Sequence, residues 1–120
     1  MDILEEFESM IGKTMADVVS TADTMVFTST DGKKFTFYHS QDCCESVGID
    51  DINGNLKDLV GEPILQAEQV SHEDPGKPAE YADSWTWTFY KFATVKGSVT
   101  VRWLGESNGY YSESVNFSED

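Results

Sequence analysis

The sequence predicts an α+β domain, a mostly antiparallel twisted sheet of about seven strands with two short helices. Three observations carry the prediction: alternating apolar and polar residues along most of the chain, turn residues between the alternating runs, and two short stretches with helical spacing. The clearest strand is Ser84–Thr94, where Trp85, Trp87 and Phe89 share one face and Thr86, Thr88, Tyr90 and Phe92 the other.

Residues 2–10 place Ile3, Leu4, Phe7 and Met10 at helical spacing, with Asp2 as cap and Gly12 as stop. A first strand follows with Met15, Val18 and Val19. Met25–Ser29 and Lys34–Tyr38 then form a hairpin around Asp31-Gly32. Residues 39–45 lead into a strand over Ser46–Ile52. Asn55 caps a second short helix, in which Leu56, Leu59 and Val60 face inward and Gly61 ends it. Ile64–Val70 is a strand, and His72–Asp83, rich in proline and acid, is the longest loop. After Ser84–Thr94, a turn at Lys96-Gly97 leads back through Ser98–Leu104, and Tyr110–Phe117 completes a meander.

Two segments resemble each other. Phe27–Gly32 is like Phe92–Gly97, and each is followed by Glu-Ser-Val, at Glu45–Val47 and Glu113–Val115. The spacing slips by three residues between the copies; either a hairpin has been duplicated or these are two ordinary hairpins, and because hairpins built from β formers resemble one another the second reading is favoured.

At 120 residues the chain suits one domain, 1–120, with one core. Its 22 acidic residues against 8 basic ones give a net charge of −14, which argues against duplex nucleic acid or anionic membranes as partners, since both need clustered Lys and Arg. Arg102 is the only arginine. No run of apolar residues is long enough for a membrane span, and the first residues lack a secretory pattern, so the expected place is the cytoplasm in which the chain is made. Neighbouring cysteines, Cys43 and Cys44, fit disulfide geometry poorly and are expected to be reduced.

Catalytic and metal chemistry find little support in this sequence. Cys43-Cys44 lacks zinc-ligand spacing, and the flanking Asp42 and Glu45 disfavour a thiolate. No phosphate-cradling glycine motif follows a strand. Neither a cofactor nor an enzymatic activity is expected. Recognition chemistry is better represented by the stretch Gly105–Ser112, where backbone amides, a carboxylate, a side-chain amide and phenols come together. Arg102, Trp103, Glu106, Asn108, Tyr110 and Tyr111 could stack on bases and grip a phosphate. The same stretch reads equally as an Asn-Gly hairpin turn, with Trp103 in the core and Arg102 in a surface ion pair.

Four ordered blocks carry a resemblance. They are His39-Ser-Gln-Asp-Cys-Cys-Glu-Ser-Val47, Asn55-Leu-Lys-Asp-Leu-Val-Gly-Glu-Pro-Ile64, Trp85-Thr-Trp-Thr-Phe-Tyr-Lys-Phe-Ala-Thr94 and Arg102-Trp-Leu-Gly-Glu-Ser-Asn-Gly-Tyr-Tyr-Ser112. Together the sequence resembles a family of small phage and bacterial proteins of unassigned function. More distantly, the Cys-Cys-Glu, Leu-x-x-Leu-x-Gly and Asn-Gly-Tyr-Tyr blocks are similar to those of phage Thoeris anti-defence sponges. That resemblance implies a homo-oligomer that sequesters cyclic nucleotide immune signals between subunits without cleaving them. It would implicate Cys44, Glu45, Asn108, Tyr110 and Tyr111, with Arg102 and Trp103 beside them. The competing expectations are an acidic module that blocks a host nucleic-acid-binding protein, and a structural domain with no ligand.

Overall fold

The computed structural model describes residues 6–41, 43–70, 75–80, 83–109 and 111–120. It corrects the α+β expectation. The described residues form eight strands in two antiparallel four-stranded sheets, and only two single 3-10 turns stand where helices were expected. These turns, Glu6–Met10 and Leu56–Leu59, are too short to propagate a helix. Asn55 does cap the second, its side chain accepting from the Lys57 N–H at 2.9 Å, but Val60 is already extended. Met10 and Leu59, both fully buried, plug into the core.

The strands are β1 (Met15–Ser20), β2 (Met25–Ser29), β3 (Lys34–Tyr38), β4 (Ser46–Asn53), β5 (Gln66–Val70), β6 (Ser84–Thr94), β7 (Gly97–Ser107) and β8 (Asn116–Glu119). One sheet has the order β1-β2-β3-β8 and the other β4-β7-β6-β5. Each half of the chain is thus a three-stranded meander whose fourth strand leaves to pair with the third strand of the other half. The expected β6-β7-β8 meander is therefore corrected. The last strand begins only at Asn116 and pairs with β3, with Phe117 opposite Phe37.

This exchange makes the two halves structural repeats of each other, which the reading of two ordinary hairpins did not expect. Gly12 N–H donates to the Ile64 carbonyl at 2.8 Å, and Gly61 N–H donates to the Met15 carbonyl at 2.9 Å. Between them Thr14 and Pro63 form an antiparallel bridge. An offset of 49 maps Gly12 on Gly61, Thr14 on Pro63 and Met15 on Ile64 (61 − 12, 63 − 14 and 64 − 15), so the two halves exchange equivalent bonds about a local two-fold axis. Both glycines have positive φ, 88° and 89°, where a side chain would be strained. Registers agree as well: Val18 faces Phe27 as Ala67 faces Phe92, and Ser20 faces Met25 as Gln69 faces Tyr90.

The inner faces of the two sheets meet in one apolar core. Phe27 contacts Phe92 at 4.9 Å between centroids, and Phe37 contacts Tyr90 at 5.1 Å. Val47, Val99, Val101 and Trp103 extend this core along the second sheet. On β6 the alternation falls as expected. Thr88, Tyr90 and Phe92 point inward, which leaves Trp85, Trp87 and Phe89 on the outer face.

Candidate functional site

The stretch Gly105–Ser112 is a crossover rather than a hairpin. Beyond β7 the chain turns back across its own strand on the way to the other sheet. Gly105 is buried, and a Cβ there would stand 2.3 Å from the Glu113 carbonyl oxygen, so only glycine allows the chain to lie this close. Glu113 fastens the crossing. Its carboxylate accepts from Thr86 Oγ1 at 2.8 Å and from Ser107 Oγ, and Ser107 Oγ also accepts from the Gly109 N–H at 2.9 Å. Burial pushes the Glu113 carboxyl up, but bonds from Ser107, Ser84 and Thr86 outweigh it and hold the group below the ordinary glutamate value.

The other crossover, from β3 to β4, meets the first at His39. Its Nδ1 lies 2.7 Å from the Ser114 carbonyl and its Nε2 lies 2.6 Å from a Glu45 carboxylate oxygen. The carbonyl can only accept, so Nδ1 carries a proton and donates. The other Glu45 carboxylate oxygen accepts from the Cys43 N–H at 2.9 Å, and Gln41 Nε2 donates to the Glu45 carbonyl at 2.6 Å. The His39 and Glu45 side chains are 3% and 0% exposed, so a substrate has no path to either. They lock the two crossovers together. The sulfur atoms of Cys43 and Cys44, both exposed, lie beside each other, with the two Cα atoms 3.7 Å apart.

A different surface carries stacking and charge. On the outer face of the second sheet the Arg102 guanidinium lies 5.1 Å from the Trp87 ring centroid and bonds Asp50. The register brings Trp87 beside Leu104 and Trp85 beside Glu106. Next to them a shallow depression of about 160 Å³ is lined by Ser46, Gly48, Ile49, Asp50, Leu104 and Glu106. The 75–80 segment reaches this face, where the Trp87 indole N–H donates to the Gly76 carbonyl at 2.9 Å.

A family model described as a domain of unknown function, DUF7448, matches residues 8–117. The chain belongs to this family. No curated protein and no solved structure matches it. The match spans both crossovers and the outer face, so each is part of the DUF7448 domain itself.

Within this DUF7448 domain the residues singled out from sequence divide among four places. Arg102 and Glu106 lie on the outer face of the second sheet. Trp103, facing the other way, is 1% exposed in the core, and its indole N–H meets no partner among the described residues. Glu45 is buried against His39, with exposed Cys44 just before it, while Asn108 and half-buried Tyr111 belong to the β7–β8 crossover. Tyr110, Asp42 and His72 lie outside the described residues. Trp87, Asp50, His39 and Glu113 were not singled out. Two of them follow from signals in the sequence: the repeated Glu-Ser-Val marks Glu113, and the alternation of β6 places Trp87 on the face of Arg102. Among the described residues no group of three or more His, Cys, Asp or Glu could hold a metal ion. None of their helices is long and apolar enough to cross a membrane.

Proposed function

We propose that this DUF7448 domain acts by binding rather than by catalysis, and that it sequesters a small cyclic nucleotide signal on the outer face of its second sheet. One arrangement carries the reading: a guanidinium held against the Trp87 ring, beside a depression that ends at Glu106. An indole can stack on a base, an arginine can grip a phosphate, and carboxylates can accept from exocyclic amines. The depression is smaller than the roughly 300–1,000 Å³ that encloses a small ligand. Two copies meeting through this face would close a pocket of adequate size, which agrees with the homo-oligomer that the resemblance to anti-defence sponges implies. Isothermal calorimetry with cyclic ADP-ribose isomers and cyclic di- and trinucleotides tests the reading. Binding tighter than roughly 10 µM, about −7 kcal/mol, is expected for at least one of them, and its absence across the set overturns the proposal.

A second reading is favoured by the pairing of Arg102 with Asp50 in a chain of net charge −14. With its arginine already neutralised, the surface would suit a basic protein better than a phosphate, as in an acidic module that blocks a host nucleic-acid-binding factor. Salt-sensitive recovery of a basic host protein, together with no nucleotide binding, would select this reading.

A further inference from the structure

The duplication allows one surface of the molecule to be compared with its counterpart. Between β1 and the second 3-10 turn runs a groove of about 440 Å³ lined by Asp17, Val18, Leu56, Lys57, Val60 and Lys96. Val18, Leu56 and Val60 make its apolar surface, and two lysines stand over it. Lys96 Nζ donates to the Val60 carbonyl at 2.7 Å, which fixes that ammonium beside the groove and leaves further protons to donate. Neither Lys57 nor Lys96 forms an ion pair among the described residues, although acids outnumber bases 22 to 8. Lys34, Lys77 and Lys91 share that state among the described residues, whereas Lys13, Lys33 and Arg102 are each paired with a carboxylate; what sets Lys57 and Lys96 apart is that both line one apolar groove.

The corresponding positions of the other half carry the opposite charge. The offset of 49 between Gly12 and Gly61 puts Glu8 where Lys57 stands, and matching Gly32 with Gly97 puts Asp31 where Lys96 stands. The basic character therefore belongs to this groove and not to the fold.

We propose that the groove binds an amphipathic monoanion, an aliphatic chain ending in a carboxylate. The chain lies on Val18, Leu56 and Val60, and the headgroup meets Lys57 and Lys96. A volume of about 440 Å³ falls within the range of small-molecule pockets. Asp17, also in the lining, disfavours a second negative charge and so selects a monoanion over a dianion. This site shares no lining residue with the outer face of the second sheet and stands independently of the nucleotide reading.

Titration of the full chain with decanoate below its micelle concentration, followed by amide NMR, tests the proposal, with decanol and decyl phosphate as comparison probes. Saturable shifts at Val18, Leu56 and Val60 are expected, with weaker binding of both comparison probes. Lys57→Glu, at an exposed position whose side chain makes no hydrogen bond among the described residues, should weaken decanoate roughly tenfold, about 1.4 kcal/mol. Lys96→Met keeps the stem, removes the ammonium and should also weaken it. Shifts scattered over other surfaces, decanol binding as tightly as decanoate, or unchanged affinity in both variants would overturn the proposal.

Discussion

His39 Nε2 sits 2.6 Å from a carboxylate oxygen of Glu45, and almost none of either side chain reaches solvent. Their mutual contact and the bonds to Ser114 and Cys43 satisfy what burial would otherwise leave unpaired. This is where the two exchanged strands are held to each other. Removing one partner strands the other in a dry site. Glu45→Ala and His39→Ala should each destabilise the domain by about 3–5 kcal/mol, measured by urea unfolding. Glu45→Gln, which keeps the shape, should cost less; losses below about 1 kcal/mol in both alanine variants would show that the pair holds nothing.

Gly105 is a packing requirement. Its φ is not in the left-handed region, so an alanine suffers no backbone strain there, but its methyl group would meet the Glu113 backbone. Gly105→Ala should destabilise by about 1–3 kcal/mol through forced displacement of the crossover. Urea unfolding measures the loss, and near-ultraviolet circular dichroism should change with it. A neutral outcome would mean that the crossover does not rest on β7.

Glu113 makes the same crossing sensitive to acid. Its carboxyl is lowered in the folded state from the ordinary value of 4.5, because the hydroxyl bonds outweigh burial. A depressed acid contributes stability above its unfolded value and loses it as pH falls through the folded value. Stability should therefore decline on acidification below about pH 4.5 with a component that Glu113→Gln removes. Unfolding midpoints of the two proteins measured across the acid range give the test; parallel curves would assign the acid response to other carboxylates.

On the outer face, Arg102→Glu should abolish nucleotide binding while leaving the unfolding free energy within about 1 kcal/mol of the original, since the ion pair with Asp50 is partly exposed. Asn108→Ala should also leave the fold intact, because Asn108 is exposed beyond the end of β7. Calorimetry and thermal unfolding read the two effects separately. If Asn108→Ala unfolds the protein, that side chain holds the crossover instead of a ligand.

Much of the strand content was legible because alternation is a local property. Trp85, Trp87 and Phe89 against Thr88, Tyr90 and Phe92 required no knowledge of the other sheet. Asn55 as a cap was legible for the same reason. The helices were over-read: Leu56 and Leu59 have helical spacing, yet the chain is extended again by Val60, and one turn cannot sustain a helix. The site was legible only in part, since Arg102 and Trp103 are neighbours in sequence but point to opposite faces of one strand.

By itself the sequence determined most of the strands, the alternation of their two faces, the acidic composition and the resemblance between Phe27–Gly32 and Phe92–Gly97. Only the tertiary structure decided which strands pair. An unpaired β8 is equally able to lie beside β7 or β3, because local pattern sets which face is apolar and not which neighbour supplies the hydrogen bonds. The choice falls to contacts far apart in the chain: Gly105 beneath Glu113, His39 between Glu45 and Ser114, and the reciprocal bonds of Gly12 and Gly61. These carry Gly105–Ser112 across to the other sheet, and with it the residues that local pattern had read as a hairpin.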